Sequence, residues 1–226
     1  MNKTQNHPPR DANTPLAERF FQVLLIASTT ALSWLGMMAV HELGHVAHLW
    51  ISGGTVEYVL LHPARLSYTQ PGQNPWPLFV AAGGALWGCG LPTAGWAITG
   101  RVAPRQAYLA RFFAGFCLVA NGAYLAADAF VAGGDGRQLI AQGTPPWLLV
   151  LAGVPTVACG LLLWHGQGPN FGLGGKKEAP HLFRPAPQEP VSPKTPVASG
   201  KIDRRAALAL TGTLAVVVAL ELAFLP

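Results

Sequence analysis

Five consecutive residues, His41-Glu42-Leu43-Gly44-His45, put two imidazoles and a carboxylate within little more than one helical turn. At about 100° per residue, positions i and i+4 project about 40° apart, so His41 and His45 can reach one ion together. Glu42 sits beside them, where it can take a proton from a water on that ion. The chemistry that these residue types suit is metal-assisted hydrolysis. Zinc is the expected cofactor, because two imidazoles and one carboxylate suit it ahead of iron or cobalt. A catalytic zinc also needs a third protein ligand and an open position.

Three further residues compete for that third place. His48 shares the helical face, but seven residues separate it from His41, about 10 Å along the axis at ~1.5 Å per residue. With Zn–N distances of about 2.0–2.1 Å, one ion cannot reach both ends of that row. His48 is expected behind the ligands or at the membrane surface. The other two are Asp128 and Asp135, and depth separates them. His41 and His45 lie 22 and 26 residues beyond Arg19; Asp135 lies 24 residues beyond Arg111, and Asp128 only 17. On straight helices Asp135 is level with the histidines, and Asp128 falls about 8–14 Å short. Asp135 is the expected ligand and Asp128 the alternative. Asp128 otherwise reads as a hydrogen-bonding group within the bundle, with Asn121 as its partner.

The elements that must position these residues are membrane helices. Only 11% of the 226 residues are charged, against about 25% in a soluble domain. Uncharged runs long enough to cross a ~30 Å hydrocarbon layer recur along the chain. They place spans at about 20–51, 76–100, 106–131 and 147–164, which form a core over 20–165, with a fifth from Ala206 to Phe224 inside a C-terminal helix over 204–226. The run that starts at Phe20 is too long for the ~7–15-residue apolar centre of a secretion signal and continues into the metal motif. The HELGH cluster thus lies inside an apolar helix, where each ionisable residue costs about 2.5–3.5 kcal/mol on insertion scales, so its presence implies a function.

Between the first two spans, residues 54–75 hold β-branched and aromatic residues bounded by Gly and Pro, and read as a strand or hairpin at the interface. The expected fold is therefore an all-α integral membrane protein of about five transmembrane helices, with a short β-like interfacial segment after the first. Residues 1–19 read as a cytoplasmic tail and 166–203, with six prolines from Pro180 to Pro196, as a Pro-rich cytoplasmic linker. Gly84 and Gly88 in the second span have the GxxxG spacing that permits close helix contact. Trp147 and Trp164 bracket the fourth span, as at two membrane interfaces. The three cysteines, Cys89, Cys117 and Cys159, lie in different spans and read as small buried apolar residues.

The net charge of +5 does not point to nucleic acid, because the basic residues flank the spans. With five spans and the N-terminus inside, inner segments hold 13 of the 15 Lys and Arg residues and outer segments only Arg65 and Arg137. That bias puts the N-terminus in the cytoplasm and the protein in a cell membrane as a multi-pass chain, here expected to be a bacterial inner membrane.

HELGH in a first membrane helix, followed two helices later by Asp135-Gly136, resembles the site-2 protease family of intramembrane zinc metalloproteases. The resemblance covers about residues 20–140. It implies His41, His45 and Asp135 as zinc ligands, Glu42 as the base, and a membrane protein or peptide as substrate. The small residues Ala81-Ala82-Gly83-Gly84 look like a segment of that family's next helix, and 54–75 is similar to its β-rich element, which presents substrate. The chain differs in having Asn121 well upstream of the Asp-Gly pair, Gly134 before it, and no inserted PDZ-like domain. The competing reading, from a different class, is a non-catalytic zinc-containing scaffold or regulatory protein. A transporter would need ionisable residues at several depths, and here they gather at one.

Overall fold

The computed structural model describes residues 16–131, 133–173 and 202–223. Residues 1–15 of the expected tail and the proline segment Pro180–Pro196 lie outside the described residues, as does Phe224 at the end of the fifth span. Among the described residues the fold is the expected one: five apolar helices long enough to cross a bilayer, and one small two-stranded sheet. The chain is a multi-pass membrane protein.

Helix α1 covers Leu16–Ile51 and begins four residues before the expected span. Its 36 residues extend about 54 Å, well beyond a ~30 Å hydrocarbon layer. Strands β1 (Val56–Leu60) and β2 (Tyr68–Pro71) follow as an antiparallel pair, with Val59 opposite Thr69 and Leu60 opposite Tyr68. Gly53, at φ 75°, makes the turn out of α1; such a left-handed residue is easiest for glycine. Helices α2 (Pro77–Val102) and α3 (Ala107–Val131) come next. Pro77 opens α2, where a missing N–H leaves no carbonyl unpaired.

The sequence reading ends the third span in Gly133-Gly134-Asp135-Gly136. Instead a short extra helix, α4 (Gly134–Ala141), starts there and returns to pack against α2 and α3. Helix α5 (Pro146–Trp164) then lies along α3, the most extensive helix pair in the fold. Glycines 115 and 122 of α3 meet 160 and 153 of α5 at backbone distance. Lipid is as apolar as a helix face, so close packing rather than water exclusion holds such pairs. Trp164, expected at an interface, donates its Nε1–H to Phe112 O (2.9 Å) and stacks its ring on Phe112.

Residues 166–173, read as the start of the linker, are packed. A 3-10 turn at Gly168–Phe171 buries Phe171 against Tyr108 and Phe112. Helix α6 (Arg204–Ala223) lies against α1, with Ala207 beside Leu25 and with Leu214, Val217 and Val218 against the cluster of Leu35, Met38 and Cys117. Of the cysteines only Cys117 is buried as expected; Cys89 is half-buried and Cys159 exposed on α5. A cysteine facing lipid costs little, since the thiol is a weak donor on a small apolar side chain.

Candidate metal centre

The motif occupies the last third of α1, facing α2, α3 and α4. His41, Glu42 and His45 are all buried. Each imidazole is fixed through its Nδ1. His41 Nδ1 donates to Asn121 Oδ1 on α3 (2.6 Å), and His45 Nδ1 donates to the Val80 carbonyl on α2 (2.8 Å). The side-chain amide of Asn121 is oriented by its own donation from Nδ2 to Cys117 O (2.9 Å), so Oδ1 must be the acceptor for His41. With both Nδ1–H groups spent, the neutral rings carry their lone pairs on Nε2.

Those two nitrogens converge with a carboxylate oxygen. His41 Nε2 and His45 Nε2 are 3.2 Å apart, and Asp135 Oδ2 lies 2.9 Å from the first and 3.3 Å from the second. Three acceptors at such separations repel one another unless a cation sits among them. Ligand atoms about 2.0–2.1 Å from one tetrahedral ion lie about 3.3–3.4 Å from each other, close to the spacing observed. The group could hold a metal ion.

Asp135 reaches the histidines from the first turn of α4 rather than from a continued α3. The two glycines around it make this possible. Gly134 has φ +45°, and a side chain there would collide with the Tyr124 hydroxyl; a Cβ on Gly136 would collide with Asp128. Asp128 Oδ2 accepts the Gly136 N–H at 2.8 Å, satisfying one of the free amides that open a helix. Asp128 therefore anchors α4 and does not pair with Asn121 as expected.

His48 stands apart. Its Nδ1 donates to Phe79 O (2.6 Å) and its ring stacks on Phe79, 3.9 Å between centroids, tying α1 to α2. Glu42 is held from the other side. Ser67 Oγ donates to its Oε1 (2.8 Å) and Thr69 Oγ1 to its Oε2 (2.7 Å). Two hydroxyls thus compensate a carboxylate that is only 4% exposed. Sequence reasoning does not find Ser67 or Thr69. Their only signal is a pair of hydroxyl residues at alternate positions entering β2. Tyr124 also goes unread; its ring meets His41 edge-on.

A polar cleft of about 330 Å³ runs past His41, Glu42, His45 and Asp135, and residues 68–71 of β2 form one of its walls. Trp34 Nε1 donates to Pro63 O (3.2 Å) and ties the loop between the strands to α1. No family model matches the chain, and no curated protein or solved structure does either.

Proposed function

We propose that this chain is a zinc metallopeptidase of the membrane, similar to the site-2 proteases, that hydrolyses peptide bonds in membrane-associated substrates. The observation that carries the reading is the meeting of three convergent acceptors, His41 Nε2, His45 Nε2 and Asp135 Oδ2, with the buried carboxylate of Glu42 in one cleft. Zinc held by these three residues would polarise the scissile carbonyl and make a water acidic enough to ionise near neutral pH.

The chain's own residues supply the rest. Asn121 and the Val80 carbonyl keep both Nε2 lone pairs aimed inward. Glu42 takes a proton from the attacking water and passes it to the leaving amine. Ser67 and Thr69 hold its two oxygens in the cleft until then. A helical substrate must unwind before it can be cut, and its freed backbone groups need partners that lipid cannot offer. The β2 strand borders the cleft and can supply them by edge pairing. The charge bias supports an N-terminus on the cytoplasmic side, here of a bacterial inner membrane, with the cleft toward the opposite face.

The test is zinc content and peptide cleavage of the purified full chain beside Glu42→Gln. One zinc in both proteins, with cleavage lost only in Glu42→Gln, is the expected result. Cleavage that persists in Glu42→Gln refutes the mechanism. Zinc without cleavage in either protein would return the chain to a zinc-holding scaffold.

A further inference from the structure

A second cavity, of about 280 Å³, adjoins the polar cleft and has a different chemistry. Trp34, Met37 and Met38 of α1, Ala120 of α3 and Leu66 of the strand-connecting loop form its walls. It shares His41, Glu42, Ser67 and Tyr124 with the cleft. At about 280 Å³ it has room for one large apolar side chain.

Three of the polar groups along its walls already have partners. The Trp34 indole N–H donates to Pro63 O, and Ser67 Oγ to Glu42. Asn121 spends its amide on Cys117 O and its oxygen on His41. A polar side chain entering here loses its water against walls that are mostly apolar, whereas an apolar one loses nothing. The two methionines add a surface that adapts to more than one apolar shape.

We propose that this cavity is the specificity pocket, receiving the side chain next to the scissile bond and selecting leucine, methionine or phenylalanine there. The inference rests on the peptidase reading. Continuity with the cleft fixes the occupant: a peptide whose carbonyl lies at His41 and Glu42 has its neighbouring side chain at the mouth of the cavity. Ala120 is the residue that sets the depth, because a larger side chain on α3 would fill the space from its wall.

The experiment uses the full chain in detergent, zinc-loaded, on a degenerate peptide library with cleavage sites read by mass spectrometry. Wild type should favour Leu, Met or Phe on one side of the cut bond about tenfold or more over Gly, Asp or Lys, the scale for apolar pockets. Ala120→Phe should transfer that preference to Gly and Ala, and Met37→Ala should admit Trp, with zinc retained in both. If Ala120→Phe does not fold, Met37→Ala carries the comparison. Binding is read separately: a photoleucine peptide on Glu42→Gln should crosslink to residues 34–38 of α1. No residue preference in wild type, an unchanged preference in the zinc-retaining variants, or crosslinks elsewhere would overturn the pocket. Cleavage indifferent to Glu42→Gln would instead overturn the peptidase reading, and the pocket's role with it.

Discussion

Gly84 on α2 sits against the open side of the two imidazoles, and the smallest possible substitution there should disable the site. A Cβ built on Gly84 would fall on His41 Nε2 and 2.5 Å from His45 Nε2. Ordinary carbon contacts are about 3.5–4.0 Å, so the rings or the helix must yield by roughly 1 Å. Neither has room. The rings are tethered through Nδ1 to Asn121 and Val80, and Val80 is on α2 itself, so moving α2 away breaks the His45 bond. A tilt of α2 toward α1 is blocked at the preceding residue, where the Gly83 and Gly44 backbones already lie so close that neither could carry a Cβ.

The magnitude follows from one ligand. Structural zinc sites in zinc-finger peptides gain about 10–16 kcal/mol from four ligands together, so one displaced imidazole costs about 2.5–4 kcal/mol. That corresponds to zinc bound about 10²–10³-fold more weakly in Gly84→Ala. Gly90→Ala is the control, on the same helix with nothing within 4 Å of its Cβ. It should bind zinc as wild type does and melt at the same temperature or higher, since alanine is the better helix former by up to about 1 kcal/mol. The assay is a chelator-competition titration of both variants with thermal melts alongside. One zinc per chain at wild-type affinity in Gly84→Ala would refute this account of the helix contact.

Four further outcomes are expected. Asn121→Ala removes the acceptor that orients His41 and should weaken zinc binding about 10–100-fold, measured by the same titration. Asp135→Ala should lose stoichiometric zinc altogether. Asp128→Ala should lose affinity only by loosening α4, and Asp128→Asn, which keeps an acceptor for the Gly136 N–H, should restore it; no such rescue is expected for Asp135→Asn. Ser67→Ala with Thr69→Val should leave zinc content unchanged and cut peptide turnover at least about tenfold. Each hydroxyl makes a bond to a charged group, worth about 1.5–3 kcal/mol. Full turnover in that double variant would mean that β2 does not position Glu42.

The parts of this protein legible in its sequence are those set by local periodicity. His41 and His45 project from one helical face because i and i+4 always do, and apolar runs mark the spans because lipid admits little else. The small sheet was legible too, from β-branched residues between Gly and Pro. What escaped reading depends on long-range contact. Thr69 reaches Glu42 across 27 positions and Ser67 across 25, and no local pattern marks them. Helix α4 escaped for another reason. Gly133 and Gly134 read as an ending, since glycine usually stops a helix, yet here they allow a new helix to start beside Tyr124 and Asp128. Depth counted along a straight α3 put Asp135 level with the histidines. The chain brings it there by a different path, on a helix that turns back toward α2 with Asp128 holding its first turn. The two aspartates that seemed to compete for one role thus divide it: Asp135 faces the histidines because Asp128 fixes the backbone that carries it.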